Sequence, residues 1–593
     1  MYSKEEISMA FSGTKRTERY TDEMREKILS TKCFDKALSW LREENEASYK
    51  EALPEEAFSL FRMYAERGSR NEFMSVYWKY RRKLMLNAIS AYLYGEERDI
   101  HGTEDVLWSV LNEYSWTPPV HITAYDGVNK RNVSLEENVT DNNYIVDLLS
   151  AETAASIAEC LLILGDKLHP LIVKRAVYEL DRRIFTPYLE KRFAWEVQTN
   201  NWLSVCASNI ALAALAVVDD EERLTAILHR ALLHIERYIS GFNPDGACLE
   251  GVAYWDYGFG PFTNLACKLN ERTCGAIDLF SIEKIEAVAR AYYKCFFVGG
   301  RAVNFSDCRT CPSISPTIHS VLMRRYSDLA IPRELVSLSG PLSNRLHEAV
   351  RFFTEITDDY AEQDGKIFGT HIFPDSQWYI SSSENGVGIA AKGGNNDEPH
   401  NHNDIGSFLV YKNGVEIISD IGAGEYVKGY FDDARYDFFA TSSRGHSLPI
   451  VNGGYQKDGA EFFAEDVVLT QNGISCDISR AYANEDLKKL VRKISFDTET
   501  GAVTLTDSFE LKAKPISLVE RFVTASDARF SDDGIVIGDE KEKMILSYDS
   551  ALVRPHIAKA ELGGFEAPKP TTVIDFEPLE LSECFTFQIK IHN

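Results

Sequence analysis

The chain has 593 residues, 44% of them hydrophobic and 26% charged, which excludes a small disulfide-stapled scaffold and supplies apolar material for large cores in two or more domains. Its 64 lysines and arginines against 90 aspartates and glutamates leave a net charge of −26, which argues against broad nucleic-acid or anionic-membrane binding and requires a local site for any anionic ligand. No run of 18 apolar residues predicts a membrane span.

The first residues, MYSKEEISMAFSGTKRTERY, are charged and carry no apolar run with a small-residue cleavage site, so the expectation is a cytoplasmic protein. Eleven cysteines, an odd number scattered from Cys33 to Cys584, fit free thiols in a reducing compartment. From about residue 20 to 350 apolar residues recur at helical spacing: residues 144–165, 202–218, 221–240 and 282–297 each predict a helix, separated by Gly, Pro and Asn/Asp clusters. Cys308 and Cys311 then form a lone C-x-x-C, read as two ordinary thiols near a loop because no second pair stands at zinc-finger spacing. After about residue 365 the period changes to two. WYISSSENGVGIAAKGG, GSFLVYKNGVEIISDIG and KLVRKISFDTETGAVTLTDSFEL alternate, with hairpin turns at Asn413-Gly414 and Glu499-Thr500-Gly501, and strands continue to ECFTFQIKIHN. The predicted fold is α+β and multidomain: a helical domain over 1–360, a closed toroid or an irregular array of helices, followed by antiparallel β-sheet or β-sandwich structure over 361–593, with a division near 515 as an alternative.

Three stretches carry residue types suited to chemistry. Asn200, Asn201 and Trp202 precede an apolar helix, where Asn is a common N-cap and needs no further role. The loop PDGACLEGVAYWDYGFGPF gathers Glu250, Tyr254, Trp255, Asp256 and Tyr257 among glycines, a composition that lines a sugar site or plugs a core. DEPHNHNDIGSF holds His400, His402 and Asp404 at i, i+2, i+4, which on a strand places all three on one face and Asn401 and Asn403 on the other. The hairpin at Asn413-Gly414 returns Asp420 toward the His402 end, and His446 follows a later loop. His402, Asp420 and His446 are together a normal set of protein ligands for zinc; read blandly, they are separate polar residues at sheet ends.

In this order, Asn-Asn-Trp before a helix, Glu-Gly-x-x-Tyr about fifty residues on, His-x-His-x-Asp-x-Gly-Ser-Phe, an Asp eighteen residues after the second His, and Gly-His-Ser before a strand, the pattern resembles the heparinase II/III-like polysaccharide lyases. The resemblance runs from about Asn200 to Asn452, and it implies an N-terminal incomplete (α/α) helical toroid followed by a C-terminal antiparallel β-sandwich. It implies β-elimination at a uronic acid of an acidic oligosaccharide or polysaccharide, such as a glycosaminoglycan or alginate, giving an unsaturated uronate product. By that resemblance Asn201, with Asn200 as its alternative, neutralises the uronate carboxylate, Tyr254 and His400 are the catalytic pair, and His402, Asp420 and His446 hold a structural Zn²⁺. Asn200, Trp202, Glu250 and Tyr257 are the remaining candidates to contact substrate. Arg435 and Arg444, with Lys428, are the nearest basic residues that could offset the acidic balance locally.

The residue types suit that chemistry. Abstracting the C5 proton of a uronate builds charge on a group that is already an anion, so donors must be in place beforehand, and an Asn amide supplies them without titrating. Tyr and His can each serve as base or acid once the site sets their protonation. Two other readings remain open from the residues: a glycoside hydrolase on a helical toroid, using two of Asp245, Glu250 and Asp256, and an inert glycan-binding protein. The oligomeric state is left open.

Overall fold

The computed structural model describes residues 2–14, 20–122, 145–309, 314–329, 335–338, 341–361, 368–427, 429–431, 433–560, 562 and 569–593. The helices begin where side chains can satisfy the first backbone N–H groups. Asp147 accepts from Ser150 N at 2.8 Å while Ser150 Oγ accepts from Asp147 N at 2.9 Å, opening the helix Leu148–Leu164. Asn200 Oδ1 accepts from Trp202 N at 3.2 Å to open Asn201–Val217, and Asp220 caps Glu221–Ser240 through Arg223 N at 2.7 Å. The first two of these helices are apolar on nearly every face and pack against each other, whereas Glu221–Ser240 buries one face, which includes Leu224, Ile227, Leu228, Ala231, Leu232 and Ile235.

The fourth predicted helix is shorter than expected. It covers Glu283–Tyr293, and Phe296–Phe297 instead pairs with Arg301–Ala302 across Gly299 and Gly300, both at positive φ. Consecutive phenylalanines before a Gly-Gly pair favour a tight hairpin over another helical turn.

The chain divides into two compact units. One comprises Met1–Gly241, Asp256–Ile285 and Ile314–Asp364; the other comprises Phe242–Trp255, Glu286–Ser313 and Gly365–Asn593. The first is helical. The second holds the antiparallel sheets, together with short pieces drawn from the helical half of the sequence, so the fold class is as expected: helices first, antiparallel sheets after.

In the second unit, Gly369–Phe373, Trp378–Ser382, Val387–Lys392, Phe408–Lys412 and Val415–Ile418 form a five-stranded meander. Its last turn is Asn413-Gly414, with φ of 45° and 85°, the pair of positive values that a two-residue hairpin requires. An eight-stranded sheet and a four-stranded sheet follow. Val503–Leu511 pairs with Leu487–Phe496 on one side and Cys584–His592 on the other, so strands from either side of residue 515 share one sheet. Alternate residues of these strands, such as Leu490, Ile494, Leu505, Phe509 and Ile589, meet Ile389, Val410, Phe522 and Ile574 of the other two sheets in one apolar core. At its centre Arg492, wholly buried, donates to Asp507 and Glu520 and to the carbonyls of Gly406 and Ser447. Among the described residues no helix is long and apolar enough to cross a membrane.

Candidate active site and metal-ligand cluster

The segment 397–407 is not a strand. It is a loop, and His400 adopts a φ of +57° within it. The alternation expected of His400, His402 and Asp404 is therefore overturned: the Asp404 carboxylate turns to the buried Lys392 ammonium at 2.7 Å and anchors the loop to the strand Val387–Lys392. The two histidines meet instead on a residue that spacing did not single out. Asp307 Oδ2 accepts from His400 Nδ1 at 2.8 Å, and Asp307 Oδ1 accepts from His402 Nε2 at 3.0 Å. Tyr430 Oη and Arg435 Nη2 donate to the same carboxylate at 2.8 and 2.9 Å. Burial pushes the Asp307 carboxyl up, but the bonds from His400 and His402 and the Arg435 charge outweigh it and hold the group far below the ordinary carboxylate range.

Two glycines bring the Asp307 segment this close. At Gly251, with φ of +112°, an added Cβ would stand 2.9 Å from Cys308 Cβ; at Gly422, with φ of +68°, it would stand 2.6 Å from Cys308 O. Any other residue at either position would force the strand of loop bearing Asp307 away. Cys308 is buried here and accepts from Ala253 N at 3.3 Å, while Cys311 lies outside the described residues. The close approach at Gly251 carries Glu250 and Tyr254 with it. The Tyr254 ring stacks on the His400 ring, centroids 4.2 Å apart and 24° between planes, and its hydroxyl meets Tyr426 Oη at 2.5 Å. Glu250 Oε2 stands 4.0 Å from His400 Nε2. Burial first, then Tyr426 and Asp307, push the Tyr254 phenol well above its usual range, so it keeps its proton at neutral pH. Tyr426, Tyr430 and Phe431 pack edge to face around this pair, and Phe431, 57% exposed, lies 5.7 Å from the His400 ring.

His402, Asp420 and His446 come together as expected, their ligand atoms all within 4.8 Å of one another and wholly buried. Each has its outer atom engaged: His402 Nε2 on Asp307, His446 Nε2 on Ala440 O at 3.0 Å, Asp420 Oδ1 accepting from Gly422 N at 2.9 Å. The inner atoms, His402 Nδ1, His446 Nδ1 and Asp420 Oδ2, turn toward one another: His446 Nδ1 pairs with Asp420 Oδ2 at 3.3 Å, and none of the three makes a hydrogen bond of good geometry. Two imidazole nitrogens and a carboxylate oxygen, wholly buried and converging on one point, fit a divalent cation, and the engaged outer atoms fix the tautomers that coordination needs.

Arg435 is turned inward, spent on Asp307, on Asn401 O at 2.9 Å and on Tyr430 O at 3.2 Å. Arg444 donates to Ser442 Oγ at 3.0 Å and to the Asp437 carbonyl. Lys428 lies outside the described residues.

The other candidates belong to the helical unit. Asn200 is the helix cap; Asn201, buried at the first helical position, sits against Gly258, where an added Cβ would come within 3.1 Å of Asn201 Cβ. Trp202 packs on His121, ring centroids 5.0 Å apart, and His121 Nδ1 meets the buried Asp147 carboxylate at 2.6 Å. Tyr257 lies 5.5 Å beneath the Arg345 guanidinium, which also pairs with Glu152 at 2.8 Å. One helix, Val252–Arg272, thus places Tyr254 in one unit and Tyr257 in the other. Asp307, Tyr426, Tyr430 and His121 were not anticipated. Each is a lone polar or aromatic residue with no spacing pattern around it, and only the fold gives it partners.

No family model matches this sequence, and no curated protein matches it. Solved structures do. The chain superimposes on the heparinase III BT4657 gene product at 12% identity over 87% of this chain and 77% of that one, with a TM-score of 0.59. It superimposes on heparan sulfate lyase HepC from Pedobacter heparinus at 12% identity, over 87% and 76%, with a TM-score of 0.55. It also superimposes on the Streptomyces coelicolor A3 chondroitin AC lyase in complex with chondroitin sulphate at 9% identity, over 99% and 82%, with a TM-score of 0.54. At these identities the likeness shows a shared fold, a helical toroid type followed by antiparallel sheets.

Proposed function

We propose that the protein is a polysaccharide lyase that cleaves an acidic, uronic-acid-containing oligosaccharide or polysaccharide by β-elimination. The observation that carries this reading is the Tyr254–His400 pair: a phenol that keeps its proton, stacked on an imidazole whose Nδ1 is held by a buried carboxylate. With Nδ1–H on Asp307, His400 Nε2 is the lone-pair nitrogen, suited to take the C5 proton; the Tyr254 hydroxyl is suited to protonate the departing O4. Asn201, from the helical unit, is assigned the uronate carboxylate, a role that rests on the resemblance of its Asn-Trp motif and on the need for an uncharged donor where enolate charge develops. The likeness to a heparinase III, a heparan sulfate lyase and a chondroitin AC lyase supports a glycosaminoglycan as the first substrate class to test, with alginate as a second.

The cation proposed for His402, Asp420 and His446 is Zn²⁺, from the N, N, O donor set. When bound it would cross-link the loop 397–407 to the segments bearing Asp420 and His446. The chain's own residues then carry the reaction: Asp307 orients His400, Tyr426 orients Tyr254, and Tyr430 and Phe431 pack beside them.

Incubation with heparan sulfate, chondroitin sulfate, hyaluronan, alginate and their oligosaccharides, followed by ultraviolet absorbance of the conjugated uronate, tests the reading. Cleavage accompanied by that absorbance is expected for at least one substrate. Cleavage without it would favour hydrolysis, and saturable binding without cleavage would favour a glycan-binding protein.

A further inference from the structure

The Asp307 carboxylate has no exposed surface and receives four donors, two on each oxygen: His400 and Arg435 on Oδ2, His402 and Tyr430 on Oδ1. That fills the acceptor capacity of a carboxylate and leaves no direction for it to swing. The two imidazoles present opposite ends. His402 uses Nε2, so its Nδ1 faces Asp420 and His446; His400 uses Nδ1, so its Nε2 is turned the other way, toward the side where Glu250 stands. One carboxylate therefore assigns both tautomers, and it stands between the metal-ligand cluster and the proposed base.

We infer that Asp307 is a positioning residue that joins these two histidines into a relay, so that occupancy of the cation cluster by a divalent metal registers at His400. A cation on His402 Nδ1 draws electron density from the ring and makes its Nε2–H a stronger donor. That donor takes a larger share of the charge on Asp307, and His400, bonded to the other oxygen, then meets a weaker acceptor. Arg435 and Tyr430 clamp the carboxylate, and the close approaches at Gly251 and Gly422 hold its backbone, so the change passes along the hydrogen bonds instead of being absorbed by rotation. The inference rests on the metal reading and deepens the proposed site, but its principal test needs no turnover.

The full-length protein, labelled with ¹⁵N-histidine, stripped with chelator and titrated with zinc, provides that test; His400→Gln and His402→Gln assign the two rings. In the wild type, the ring-nitrogen signals of both histidines are expected to move with one zinc dependence. In Asp307→Asn, which keeps the size of the side chain but offers a donor in place of one oxygen, His402 should still follow zinc, with affinity lowered about 10- to 100-fold, while His400 no longer responds. If Asp307→Asn does not fold, the wild-type titration decides by itself. A His400 ring indifferent to zinc while His402 shifts, or a response that persists in Asp307→Asn, overturns the relay, and zinc that moves neither ring overturns its premise. On any substrate that the lyase assay identifies, Asp307→Asn should lower kcat more than it changes KM. Absence of all lyase activity, with the coupled shifts intact, would sink the proposed reaction and leave the relay standing.

Discussion

Tyr254 shows how a single side chain is prepared by its neighbours. Its ring is fixed against His400 and its hydroxyl against Tyr426, so removal of the hydroxyl should spare the packing. If that hydroxyl transfers a proton in the transition state, Tyr254→Phe will lower kcat by roughly a hundredfold or more with KM little changed, as steady-state kinetics on the active substrate would read. Near-normal turnover would remove Tyr254 from the chemistry. Two residues along, Asp256 is governed by burial: loss of water, then the nearby Glu348 charge, push its carboxyl up to about 7, and its Oδ1 has no partner. An acid raised in the folded state favours the fold fully below its unfolded pKa, and that contribution is lost as pH rises through the folded value. Asp256→Asn should accordingly raise unfolding free energy more at pH 8 than at pH 5, by about 1–2 kcal/mol, below the ~2.7 that the two pH units between pH 5 and the folded value would give without relaxation of the site. Equal gains at the two pH values, measured by denaturant titration, would contradict this sign.

At the scale of elements, the site depends on loops held by the sheets beneath them. Arg492, on the strand Leu487–Phe496, reaches the carbonyl of Gly406 at 2.9 Å and that of Ser447 at 2.7 Å, the ends of the loops that carry His402 and His446. It also pairs with Asp507 and donates to Glu520, both wholly buried like itself; burial and then the Asp507 charge push the Glu520 carboxyl well above the ordinary carboxylate range, so one guanidinium charge answers one carboxylate. Arg492→Met would leave the Asp507 carboxylate in the core with no cation and Glu520 without its donor, a change that costs about 3–5 kcal/mol. Urea unfolding should show that loss, and zinc affinity should fall with it because both loops lose an anchor. A variant of wild-type stability would show that the carboxylates take up protons and that the arginine is dispensable.

For the molecule as a whole, the three converging ligand atoms bring together segments 18 and 26 residues apart in sequence. A cation that binds only the folded state stabilises it in proportion to the logarithm of its concentration over Kd. Chelator treatment should therefore lower the midpoint of thermal unfolding, and zinc should restore it. His446→Ala, which removes one ligand, should unfold near the midpoint of the stripped wild type and ignore added zinc, as differential scanning calorimetry with and without metal would show. Identical midpoints for stripped and zinc-loaded wild type would count against the metal site.

Much of this organisation follows from the order of residues alone. The change of apolar period from 3.6 to two near residue 365 separates the helices from the sheets, because a buried stripe and a buried face demand different spacings of the same side chains. Asn413-Gly414 marks its hairpin because few residues tolerate two positive φ values in succession. His402, Asp420 and His446 were legible as a ligand set, since the hairpin leaves Asp420 only a short path back. The i, i+2, i+4 pattern of His400, His402 and Asp404 misled, because alternation has meaning only on an extended strand, and here Lys392 draws Asp404 aside while His400 turns to positive φ. Asp307 was beyond reach of any local rule. It lies 93 residues from His400 in the chain, and a solitary aspartate carries no period, cap or motif. Tertiary structure alone decides its partners, because the free energy that places it comes from burying four donors and one carboxylate together, and the carboxylate stands 93 to 128 residues from those donors along the chain.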